Sequence, residues 1–179
     1  MPVVALLPYL RPELAIWLCP LSCYLALSAG VIAHNHNHTP TFRDRKHNGV
    51  FGNWLSVFYG YPTFAWVPTH NQTHHKYNNR EGDTSRSPKI FKGNHLLSLL
   101  VYPTATGIAQ MPEIATYLAN LRRRSKRLWY AAMSEYVVFF GVLAGAFLLD
   151  WRKALVFVLV PQQFSLFMIQ VFNLSLIHI

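Results

Sequence analysis

The chain has 179 residues, 52% of them hydrophobic and only 13% charged, against roughly 25% charged in soluble domains; its apolar residues are bunched into long runs that suit bilayer spans better than one soluble core. The formal charge is +9, but Lys and Arg sit between apolar runs and build no basic face with interleaved aromatics, so nucleic-acid binding is set aside. Only two cysteines occur, Cys19 and Cys23, both inside an apolar run, which excludes a disulfide framework.

The segment Met1–Leu10 is apolar, but Arg11 follows it rather than preceding it, unlike a cleaved signal. Leu14–Ala33 carries no charge over 20 residues, about 30 Å of helix and thus one bilayer core, and Pro20 is expected to kink it. The sequence then turns to His34-Asn35-His36-Asn37-His38, and Pro40 is expected to push Thr39 out of helical geometry. Val50–Val67, rich in aromatics and interrupted by Gly52, Gly60 and Pro62, reads as a half-buried or interfacial element. His70–Gly93 is polar and basic. His95–Leu118 is apolar but broken by Pro103, Gly107 and Pro112, which predicts membrane-surface helices.

A basic stretch from Arg122 to Arg127 precedes Leu128–Leu149, a second span holding one acid, Glu135; such an acid is either interfacial or paired within the bundle. Asp150–Lys153 predicts a tight hairpin and Ala154–Phe172 a third span, antiparallel to the second. The fold class expected is all-α integral membrane, with about three to four transmembrane helices plus interfacial helices. Of the 16 Lys and Arg, 13 lie in Thr39–His95 and Arg122–Arg127, so the positive-inside rule puts both histidine clusters on the cytoplasmic side.

Six of the nine histidines fall in two short clusters, His34/His36/His38 and His70/His74/His75, each just past an apolar run. At about 100° per residue, His34 and His38 point the same way, about 40° apart, while His36 points away and is the doubtful member. His70 and His74 form a second i, i+4 pair, with His75 about 100° further round, and Thr69 after Pro68 is a plausible N-cap for their helix. Isolated histidines such as His47 and His95 read as ordinary surface or structural residues. Crowded imidazoles at a membrane face call for a shared metal.

A zinc protease of the H-E-x-x-H kind would need Glu beside the first histidine, and here Asn35 and Asn71 stand there. A bis-histidine haem needs one ligand from each of two facing helices rather than i, i+4 sets. Asn71, Asn78, Asn79, Glu81 and Asp83 are the nearby groups that could orient the imidazoles, although Glu81 and Asp83 by default read as solvated loop acids.

The H-x-x-x-H of His34–His38 and the H-x-x-x-H-H of His70–His75, within Pro-Thr-His-Asn-Gln-Thr-His-His-Lys-Tyr-Asn-Asn, resemble the first two histidine boxes of the membrane fatty acid desaturase superfamily, whose relatives include alkane and carotenoid hydroxylases. The resemblance spans roughly residues 14–173. It implies two non-haem iron ions held by cytosolic histidines, with His34, His38, His70, His74 and His75 as the metal ligands in this chain. It further implies O2 as cosubstrate, electrons from a ferredoxin, cytochrome b5 or similar donor protein, and a lipid acyl chain as the substrate to be desaturated in a bacterial inner membrane.

Two alternatives stay open: a hydroxylase on the same scaffold, or a non-catalytic histidine-rich membrane metal-binding protein. The family's third box would follow the last span, where this sequence has only His178 in Leu174–Ile179. The expectation is therefore a single desaturase-like membrane domain, 1–173, from a truncated reading frame, with 174–179 a non-native tail and the fragment itself inactive.

Overall fold

The computed structural model describes residues 1–77, 80–86 and 96–176, the last four of these by their backbone only. The second-cluster neighbours Asn78 and Asn79, together with His95 and His178, lie outside the described residues. Among the described residues the chain is all-helical: α1 (Pro2–Leu10), α2 (Ala15–His38), α3 (Arg45–Tyr59), a one-turn α4 (His75–Tyr77), α5 (Leu96–Arg124), α6 (Lys126–Ala154) and α7 (Val160–Leu176), with a π-helix at Val67–His74 and a second π segment at Leu155–Leu159.

Two apolar runs are long enough to cross a membrane, Pro12–His38 and Lys126–Phe172, and only 22% and 17% of their most apolar stretches are buried inside the fold. Their side chains therefore face outward. Residues such as Trp17, Val137, Phe140 and Leu148 are exposed, a pattern that is costly in water and favourable in lipid. Pro20 lies inside α2 without ending it. Thr39 takes extended geometry and terminates α2, as a residue before proline should.

α3 begins earlier than the apolar pattern suggested, because the Asp44 side chain accepts a hydrogen bond from the Lys46 amide at 2.7 Å and caps the helix. It ends at Gly60, whose φ of 93° is left-handed. A Cβ at Gly60 would sit 2.5 Å from the Gln162 Cβ. Gly60→Ala combines a left-handed alanine, about 1–2 kcal/mol, with overpacking of about 1–3 kcal/mol. A drop of at least about 2 kcal/mol is expected, read as a lowered unfolding midpoint in detergent, whereas Gly141→Ala, with nothing near its Cβ, is expected to leave the midpoint unchanged or raised. Equal midpoints for the two variants would overturn this account of the α3 terminus.

α5 is one helix from Leu96 to Arg124 that contains both Pro103 and Pro112, a correction to the broken reading of this stretch. α6 starts at Ser125, whose hydroxyl accepts from the Leu128 amide. Helical geometry fails at Asp150 (φ −162°, ψ 101°), and the Asp150 carboxylate accepts from the Arg152 and Lys153 amides, recapping the chain as it resumes. Glu135 before this break and Gln162 after it bond to the adjacent residues Ser56 and Val57 of α3. The chain on either side of the break therefore reaches the same level of α3.

The core that positions the histidines joins α2, α3, α7 and Trp66. Ala29, Ala33, Leu55, Tyr59, Trp66 and Ile169 form one buried cluster. Small residues on α2 allow this closeness: a Cβ at Gly30 would lie 2.9 Å from the Tyr59 ring. A second cluster of Phe64, Ala65, Ile114 and Ala132 packs the short turn Thr63–Ala65 against α5 and α6.

Candidate metal centre

α2 stays helical through His38, so His34 and His38 stand one turn apart on one face, with ring centroids 4.5 Å apart. The π-helix brings His70 against them. The His34 Nε2 lies 2.8 Å from the His70 Nε2 and 3.0 Å from the His38 Nε2, and the three atoms lie within 4.8 Å of one another.

One ring nitrogen carries either a single proton or a single lone pair and cannot satisfy two imidazole neighbours at once. A shared cation would satisfy all three. Three ring nitrogens gathered this closely could hold one ion between them.

The imidazoles must also be neutral to donate lone pairs. Burial, followed by the neighbouring histidines, pushes the His70 pKa down to about 3. Burial likewise lowers that of His75, with His38 the next cause. Trp66, itself buried, packs edge-on against both His34 and His70, at 5.1 and 5.2 Å. It forms the apolar floor of the site.

The α-helical arithmetic for the second cluster needs correction. Hydrogen bonding from i to i+5 in the π-helix widens each turn, so that His70 and His75, rather than His70 and His74, come closest: 4.6 Å between ring centroids against 5.3 Å. His75 also lies 5.0 Å from His38. His74 stacks on His70, and its Nδ1 lies 2.8 Å from the Asp83 Oδ2.

Thr69 is not an N-cap. It is buried, and its hydroxyl donates to the Ala65 carbonyl at 2.7 Å. Wide helical turns of this kind recur at functional sites, where they re-aim side chains.

Asp83 is a second correction, since its side chain is fully buried. Its other oxygen accepts from the Ser85 amide at 2.8 Å, and the Tyr102 hydroxyl holds the Ser85 carbonyl at 2.6 Å. The ionised carboxylate can only accept, so the His74 Nδ1 carries the proton that it donates. The local signal was the Asp-x-Ser spacing, which forms an Asx turn. Glu81 is exposed.

His36 turns away to Thr41, at 2.9 Å, and to the Phe51 ring. His47 is exposed beside Asp44. Asn71 donates to the Asn37 carbonyl and, among the described residues, to no imidazole; in doing so it ties the π-helix to the end of α2.

A cavity of about 550 Å³ opens beside His70 and runs between α5 and α7 past Thr69, Ile108, Met111 and Leu166. A larger, almost wholly apolar hollow of about 880 Å³ lies among α1, α3 and α6 and touches no histidine.

The family model described as fatty acid desaturase matches residues 13–178. No curated protein and no solved structure matches.

Proposed function

Because the chain belongs to the fatty acid desaturase family, we propose that it is a membrane-bound oxidoreductase that uses O2 and externally supplied electrons to desaturate a lipid acyl chain at a pair of non-haem irons. Membership alone gives an oxidoreductase of desaturase or hydroxylase type that modifies fatty acids at a membrane. The observation that carries the finer reading is the meeting of the His34, His38 and His70 Nε2 atoms. His75, at the edge of that group, and His74, oriented by Asp83, complete the ligand set on this reading.

When bound, the irons would supply the O2 chemistry that removes hydrogen from an unactivated C–H bond. The chain's own residues hold and shield. Trp66 excludes water from one side of the imidazoles, His70 stays neutral at physiological pH, and Asp83 keeps the His74 proton on Nδ1. The cavity beside His70 is within the 300–1,000 Å³ usual for ligand sites, and it can lead an alkyl chain past the ring of His70.

No side chain stores the electrons that such a cycle consumes, so a ferredoxin, cytochrome b5 or similar donor is required. The basic run Arg122–Arg127 is suited to steering an acidic carrier.

Three to four helices crossing a bacterial inner membrane, with both histidine segments cytoplasmic, agree with the two long apolar runs, the break at Asp150 and the positive-inside distribution of Lys and Arg. The test is metal analysis and lipid product analysis on the membrane-expressed protein. About two irons per chain, the stoichiometry expected of a histidine-box pair, together with a new double bond are expected. A hydroxylated product would move the assignment to hydroxylase, and metal binding without any turnover would favour the non-catalytic reading.

A further inference from the structure

Glu135 is buried in the middle of an apolar helix, and its partners are all on one short segment of α3 and the turn that follows. A single carboxylate oxygen, Oε2, accepts from the Thr63 hydroxyl at 2.9 Å and the Phe64 amide at 3.0 Å and lies 3.0 Å from the Ser56 hydroxyl, whose one proton is shared with the Gly52 carbonyl at 2.8 Å. The Thr63 amide in turn donates to the Ser56 hydroxyl oxygen at 3.0 Å. The other oxygen backs onto Gly52, where an added Cβ would meet it at 3.2 Å.

An acid inside a membrane helix is expensive unless its hydrogen bonds are complete. Here they are spent on fixing the backbone of Thr63 and Phe64. That segment runs directly into Trp66 and the π-helix, and Trp66 touches both His34 and His70. α2, which carries His34 and His38, packs on α3, on α7 and on Trp66 itself. The place of His70 against the α2 histidines therefore depends on where the π-helix starts.

We propose that Glu135 is a positioning residue for the metal centre: by clamping Thr63 and Phe64 to α6 it sets the start of the π-helix and brings His70 to His34 and His38. The proposal rests on the metal-centre reading above.

It is tested with cobalt(II) alone, titrated into full-length protein in detergent, reading affinity and the visible absorption band of the bound ion. Glu135→Leu is expected to weaken cobalt(II) binding by about ten-fold or more, the range seen when a ligand loses its support, and to shift the band. Glu135→Gln keeps an acceptor oxygen at the same place and is expected to retain the wild-type band. If Glu135→Leu fails to fold, Thr63→Val, which removes one donor and keeps the shape, carries the test and is expected to shift the band.

Folded Glu135→Leu or Thr63→Val protein with wild-type affinity and band overturns the proposal, as does Glu135→Gln behaving like Glu135→Leu. Wild-type protein that binds no cobalt(II) condemns the metal-centre reading instead, so the two failures are distinguishable.

Discussion

Replacing His34 with alanine is expected to abolish turnover and to strip at least one metal ion per chain. His34 is the middle member of the three: its Nε2 is the atom within 3.0 Å of both other ring nitrogens. Without it, His38 and His70 are left with ring centroids 5.2 Å apart and without the nitrogen that lies close to both of theirs. A histidine-bound metal that loses one of three convergent nitrogens loses both affinity and the fixed geometry that its chemistry requires.

The control is His36→Ala, only two residues away but bonded to Thr41 and turned from the site. It is expected to keep its metal. Elemental analysis of the purified variants decides the matter: wild-type metal content in His34→Ala, or equal losses in both variants, would remove His34 from the ligand set.

The second large effect is expected at Asp83. Asp83→Ala leaves the His74 Nδ1 proton and the Ser85 amide without their acceptor in a buried setting, where an unpaired donor costs about 1–3 kcal/mol. It also frees the His74 ring to rotate and change tautomer. Loss of such a supporting carboxylate typically weakens metal binding by 10–100-fold, and a drop of that size is expected in competitive titration with ferrous ion. Asp83→Asn, which can still accept through its amide oxygen, should fall between wild type and Asp83→Ala. An Asp83→Ala protein with unchanged affinity would return Asp83 to a role in holding the 80–86 loop alone.

That Asp83 reads as a surface acid in the sequence has a physical cause. It lies in a polar stretch with no hydrophobic period, and periodicity reports burial only for residues on regular elements. What buries it is distant: the Tyr102 hydroxyl on α5 grips Ser85, and Thr84 donates to Glu113. Glu135 illustrates the same limit from the other side. Its place in an apolar run marked it as an acid needing partners, but those partners, Ser56, Thr63 and Phe64, come from residues more than seventy positions earlier.

Much of the site was nevertheless local. The i, i+4 spacing of His34 and His38 fixes their common direction on any helix, and the Pro40 that ends α2 places them at its last turn. His36 faces away for the same reason. For His70, His74 and His75 the spacing was legible but the pitch was not. A regular α-helix would pair His70 with His74, whereas the π-helix closes the gap to His75. No propensity in Val67–His74 announces a wider turn; the pull of Trp66 into the core and the clamp on Thr63 and Phe64 come from other helices.

The amino-acid sequence by itself determined the membrane character, the helical class, the two histidine clusters and the family, because hydropathy, charge placement and short-range spacing are properties of neighbouring residues. Tertiary structure alone decided that the two clusters meet, that Asp83 is buried against His74 and that α6 anchors the approach to the π-helix. Those contacts join residues far apart along the chain. Their geometry follows from how small residues such as Gly30 and Gly60 let helices approach, which no local pattern encodes.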